Sequence, residues 1–224
     1  MAARRLGTAL NTFSRALKEA TDLADDARQW AIPPAPGARA QITTQRRDLL
    51  TEIAFLRAFT GWEIFLEETF LLYLLGHQPP KGSPPRRYGF PRDKNAASEW
   101  CSDGKEYAKW NSADVRRRAN RWFKDGKPFT PALQSQQSRL DQLVTIRNAI
   151  AHESSAARAK FENLVRIELQ ALPPGITVGG FLLTLQPNSN PPLSYLDFYL
   201  GQVRQVALNI VPLPLANAPS SQTP

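Results

Sequence analysis

Leu6, Leu10, Phe13, Leu17, Ala20, Ala24 and Ala27 recur at alternating spacings of four and three. That rhythm lays them on one stripe of a helix, suited to lying along another helix. The pattern predicts a first helix over residues 5–30, ended by Pro33, Pro34 and Pro36. A second helix is expected over about residues 40–75. Its first turns are polar (Gln45, Arg46, Arg47, Asp48), but from Ile53 onward it is apolar nearly all round. Such a helix takes a central position or lies at an oligomer interface. Gly76 supplies its stop.

Beyond it the pattern is more broken. Residues 77–94 are rich in proline and read as a loop. Short helices are expected within 96–124, the clearest starting at Ser112 as its N-cap and carrying Val115 to Phe123. Thr130 followed by Pro131 marks the start of a helix that runs to about Ala151. Ser154 or Ser155 caps another, ending near Leu172 before Pro173 and Pro174. In the turn-rich segment 175–192, Phe181 to Leu185 suggest a short strand. A last helix is expected over 193–211, and the tail from Pro212 is expected to be disordered. No internal repeat is visible. The expected architecture is all-α: an antiparallel helical bundle in one domain over residues 1–211, with an insertion at 77–129 between core helices and a tail at 212–224.

Composition narrows the class. A chain of 224 residues with 42% apolar content suits one packed domain and excludes wholesale disorder. The lone Cys101 gives no reason to invoke an oxidising compartment. The opening residues lack the apolar run and cleavage site of a secretory signal. Ile53 to Leu75 carries Arg57, Glu63, Glu67 and Glu68, charges too costly for a bilayer. A soluble, cytoplasmic protein with no membrane partner is expected. The net charge of +8 is unevenly spread: residues 81–127 hold 13 Lys or Arg against 6 Asp or Glu, a net of +7. There the cations alternate with rings (Arg86, Arg87, Tyr88, Phe90, Trp100, Tyr107). Arg116, Arg117, Arg118 and Arg121 with Trp110 are the candidate RNA-binding residues: cations would track a phosphate backbone and rings would stack on unpaired bases. Rings packed into the bundle beneath solvated cations would give the same pattern.

The segment LDQLVTIRNAIAHESS, residues 140–155, carries the chemistry. Leu140, Leu143, Ile146 and Ile150 form its apolar stripe, bordered by Arg147. On an unbroken helix the step from Arg147 to His152 turns the side chain by about 140° and advances it ~7.5 Å. The two converge only if the helix ends or bends between them. Spacing alone equally fits an arginine whose stem covers apolar surface and a histidine that caps a helix end.

The stretch Arg147-Asn148-Ala149-Ile150-Ala151-His152 resembles the defining motif of the HEPN superfamily, in which Arg, a polar residue, further residues and then His lie between two helices of a bundle. The chain also resembles the RiboL-PSP-HEPN subgroup, where an earlier helix carries an aromatic-acidic pair, here Trp62-Glu63 followed by Phe65-Leu66-Glu67. The resemblance covers roughly residues 45–210, its specific part only six residues. It implies an endoribonuclease, a toxin or antiphage effector, that cuts RNA without a metal or other cofactor. It also implies a homodimer that faces two Arg/His pairs across one cleft, with Arg147 and His152 catalytic. Asn148 and Glu63 are supporting candidates, Asn148 by bonding the phosphate or bracing His152, or else as a helix cap. RNA and an antitoxin or regulatory protein are the implied partners.

The chemistry itself asks for two titrating groups, a base for the 2′-hydroxyl and an acid for the leaving 5′-oxygen, and each chain offers one here, His152. With one cysteine and two histidines a typical structural zinc site is not expected, and no Walker or dinucleotide fingerprint is present. Glu63 and Glu67, four apart on one helical face, are too few to hold a divalent ion firmly and are expected to pair with arginine or face solvent. The alternative to an enzyme is a non-catalytic HEPN module that binds RNA or a protein through the same cleft, or a helical adaptor built to dimerise.

Overall fold

The computed structural model describes residues 5–214 apart from residues 103, 105, 153 and 188. The expected disordered tail falls largely outside those residues. Nine α-helices carry the described chain: α1 (Leu6–Trp30), α2 (Thr44–Leu74), α3 (Lys94–Ser102), α4 (Ser112–Trp122), α5 (Phe129–Gln134), α6 (Gln137–Ala151), α7 (Ser155–Leu169), α8 (Val178–Leu183) and α9 (Tyr195–Ile210). Among the described residues there is no sheet, only isolated bridges at Arg87–Phe123 and Leu185–Ser194. None of their helices is long and apolar enough to cross a membrane.

The α1 stripe is buried as its spacing requires, from Leu6 to Ala27. It lies antiparallel on α2: Phe13 stacks on Phe65 at 5.1 Å and meets Trp62 at 5.7 Å, while Arg57 reaches back to Glu19 at 3.1 Å. Helix α2 is central. It starts at the Thr43 cap, whose hydroxyl accepts from the Arg46 N–H, and ends in a Schellman turn. There the N–H of His77 donates to the Leu72 carbonyl and that of Gly76 to the Tyr73 carbonyl, with Gly76 at φ +90°. Arg87 completes this end by donating to the Leu74 carbonyl at 2.7 Å. One insertion arginine is thus a helix cap, with Gly76 leaving room for its guanidinium.

A second aromatic cluster ties the insertion to the bundle. The Phe70 ring meets Trp110, Phe123 and Phe129 at 5.8, 5.2 and 5.0 Å. At the far side α9 closes the core, where the Tyr73 hydroxyl donates to the Ile210 carbonyl at 2.7 Å and the Tyr199 hydroxyl to Gln142 at 3.1 Å.

Three local expectations are corrected. The helix expected from Thr130 to Ala151 is two helices, α5 and α6. The Ser135 hydroxyl donates to the Ala132 carbonyl at 2.9 Å, taking the acceptor that the next turn would need, and Gln136 leaves helical geometry at φ −122°, ψ 21°. Thr130 is not its cap but bonds Asn120. The expected strand at Phe181–Leu185 lies mostly in α8, which the Thr177 side chain starts by accepting from the Gly180 N–H. Phe181 is drawn into the core between Phe161 and Tyr195. Finally, Ser112 is the first residue of α4 rather than its cap; Asn111 caps it, accepting from the Asp114 N–H at 2.9 Å.

Candidate functional site

Helix α6 ends between the two residues singled out. Ala151 is its last residue, and His152 turns extended at φ −133°, ψ 119°, its N–H still bonded to the Asn148 carbonyl. Three residues on, the Ser154 hydroxyl accepts from the Ala157 N–H and starts α7. His152 therefore leaves the helical spiral that would carry it away from Arg147. The Arg147 guanidinium, half-buried, comes to 3.4 Å from Nε2 of the exposed His152. A guanidinium only donates, so the contact is a hydrogen bond only while Nε2 keeps its lone pair, with the proton on Nδ1.

Asn148 braces the arginine rather than the histidine: Arg147 Nη1 donates to Asn148 Oδ1 at 3.1 Å. The other supporting candidate, Glu63, faces the same arginine from α2. Burial raises its carboxyl pKa, and the Arg147 charge partly offsets the rise. Glu63 was expected to pair with arginine or face solvent; among the described residues it forms no ion pair, and Arg147 acts on it through its field.

Arg147, Asn148 and Glu63 line a groove of about 650 Å³, and His152 lies beside it through its contact with Arg147. Its walls are α2 (Phe59, Thr60, Glu63, Ile64, Glu67), α6 (Val144, Arg147, Asn148) and the segment 108–111 that leads into α4. Sequence reasoning passed over Lys109 and Asn111 in that wall, and it gave Glu67 no binding role. Only the shared helical face of Glu63 and Glu67 hinted at it. Burial raises the Glu67 pKa too, opposed by Lys94 and Arg118 and assisted by Glu68.

The expected RNA-binding residues divide. Arg117 is exposed and pairs with Asp114 at 3.0 Å; Arg121 is exposed and lies 4.9 Å over the Trp122 ring. Arg116 is half-buried. Arg118 and Trp110 do not form an outer surface, being only 2% and 8% exposed. Arg118 lies 4.7 Å over the Trp110 ring and donates to the Lys109 carbonyl. The reason is packing: Trp110 fills a pocket against Phe70, and the guanidinium covers the ring's other surface while holding the groove wall in place.

Among the described residues no group of three or more His, Cys, Asp and Glu side chains is placed to hold a metal ion. Comparison with family models, with curated proteins and with solved structures finds no match.

Proposed function

We propose that the chain is a HEPN-type endoribonuclease that needs no metal ion, with Arg147 and His152 as its cutting pair. The observation that carries this reading is their convergence at 3.4 Å beside an open groove, achieved by ending α6 at Ala151. A histidine serving only as a helix cap has no need of that partner, and a guanidinium beside an open groove is suited to take an anion.

A phosphodiester supplies that anion. Arg147, always charged and fork-shaped, holds the phosphate oxygens and offsets charge as it builds on them. Nε2 of His152 takes the proton from the ribose 2′-hydroxyl, the O2′–P bond forms and the P–O5′ bond breaks. The 5′-oxygen receives its proton from His152 of the partner subunit in a homodimer, since one chain brings one histidine to Arg147. The products are a 2′,3′-cyclic phosphate and a 5′-hydroxyl. Support for pairing comes from α2, where Leu49, Ile53 and Ile64 remain 55%, 47% and 47% exposed. At 100° per residue they fall within roughly 60° of arc, a stripe that runs into the groove through Ile64. A role as a toxin or defence effector, held in check by an antitoxin or regulatory protein, is part of this proposal.

The test is incubation of the purified chain with RNA in excess chelator. Wild type should cut, and His152→Ala should cut at least about 100-fold more slowly while binding RNA equally well. Equal rates for the two would remove His152 from the reaction.

A further inference from the structure

We infer that the groove beside Arg147 is a nucleobase subsite selective for guanine, with Glu67 as the residue that reads the base. The inference rests on the RNA-cleaving reading of the Arg147 site and adds to it the identity of the bound nucleotide.

The groove's chemistry is divided. Arg147 and Asn148 stand on the α6 side, fit for a phosphate. Apolar surface from Phe59, Ile64 and Val144 lines the space between, and its volume of about 650 Å³ lies in the range of small-molecule sites. Glu67 stands four residues, about 6 Å, beyond Glu63 along α2, on a different wall of the groove from Arg147 and Asn148. A second phosphate would be repelled there. Glu67, half-buried in the groove wall under the charges of Lys94 and Arg118, instead turns an acceptor-only group to the groove, where the N–H donors of a bound base can meet it.

The donors can be specified. A carboxylate offers acceptors only, as two parallel oxygens. Guanine alone among the four RNA bases presents two adjacent N–H donors on its pairing edge, N1–H and N2–H. Adenine and cytosine set a ring-nitrogen acceptor beside their amino group, and uracil flanks its single N–H with carbonyls. Each of those bases turns a lone pair toward a carboxylate oxygen. Such readout needs an unpaired base, so the substrate is single-stranded at that nucleotide.

The experiment is calorimetric titration of the full chain with the 3′-monophosphates of guanosine, inosine, adenosine, cytidine and uridine. Wild type should bind the guanosine nucleotide about tenfold or more tightly than the uridine one. Inosine, which lacks only the N2 amino group, should lose most of that advantage, and this arm needs no variant. Glu67→Gln should bring guanosine and uridine nucleotides to within about threefold without weakening the uridine nucleotide, and Glu67→Asp should keep part of the preference. Equal affinity for all five nucleotides, no measurable binding of any, or a guanine preference that survives Glu67→Gln would each overturn the subsite. A chain that prefers guanosine 3′-monophosphate but cuts no RNA would uphold the subsite and sink the cleavage reading, so the two fail separately.

Discussion

On the proposed reading the Arg147 guanidinium, bonded to Asn148 at 3.1 Å and lying 3.4 Å from His152, grips an oxyanion of the substrate. Inorganic phosphate should therefore bind more weakly to Arg147→Ala than to wild type in calorimetric titration at a fixed pH. Equal affinity would mean that this side chain holds no anion. Trp110 makes the contrasting case. Buried against Phe70 and beneath Arg118, it should cost about 3–5 kcal/mol of stability when changed to alanine, read as a lower denaturation midpoint, rather than RNA affinity alone. In the sequence, Arg147 and His152 stand out through six residues that resemble a known motif. The inward turn of Arg118 was hidden, because a run of three arginines on a short helix looks solvated whichever one faces the core. Glu67 was hidden for another reason: its meaning depends on the segment 108–111, which reaches the groove only through tertiary packing.

Helix α8 docks on the start of α2 through polar contacts at close range. Thr177 donates to Asp48 at 2.6 Å and the Gly179 N–H to Glu52 at 2.9 Å. A Cβ on Gly179 would overlap the Asp48 carbonyl oxygen, so Gly179→Ala should push α8 off α2 and lower the melting temperature by several degrees. Burial raises the Glu52 pKa and Asp48 raises it further, while the Gly179 bond opposes them. Ionising Glu52 therefore works against the folded state: its favourable contribution is complete below the ordinary carboxylate pKa and is lost as pH rises through the raised value. Glu52→Gln keeps an acceptor for Gly179 and removes the charge. It should raise the melting temperature near neutrality by about 1–2 °C, with the gain fading in acid. Element by element, legibility followed the cause of each structure. The α1 stripe and the Ser154 cap are local signals and were readable. The break after Ser135 hangs on one hydroxyl choosing a backbone acceptor, and α8 on Phe181 finding Phe161 and Tyr195, neither of which periodicity reports.

Over the whole molecule the +7 of residues 81–127 is only partly available to a ligand, since Arg87 caps α2 and Arg118 is interior. Neutralising the exposed Arg117 and Arg121 together should lower the slope of log affinity against log salt by about 1.4 for single-stranded RNA and leave cleavage at saturating substrate nearly unchanged. An unaltered slope would remove α4 from the RNA path. The exposed α2 stripe belongs to this scale too: light scattering at micromolar concentration should give a dimer, and Ile53→Asp with Ile64→Asp should give a folded monomer that has lost cleavage. The account as a whole turns on what Arg147 and His152 do to a phosphodiester, and mass spectrometry of the product ends reads this most directly. Incubated with RNA in excess EDTA, wild type should leave 2′,3′-cyclic phosphate and 5′-hydroxyl ends, and His152→Ala should leave the RNA intact. No cleavage by wild type, or cleavage that requires added magnesium and yields 5′-phosphate ends, would contradict it.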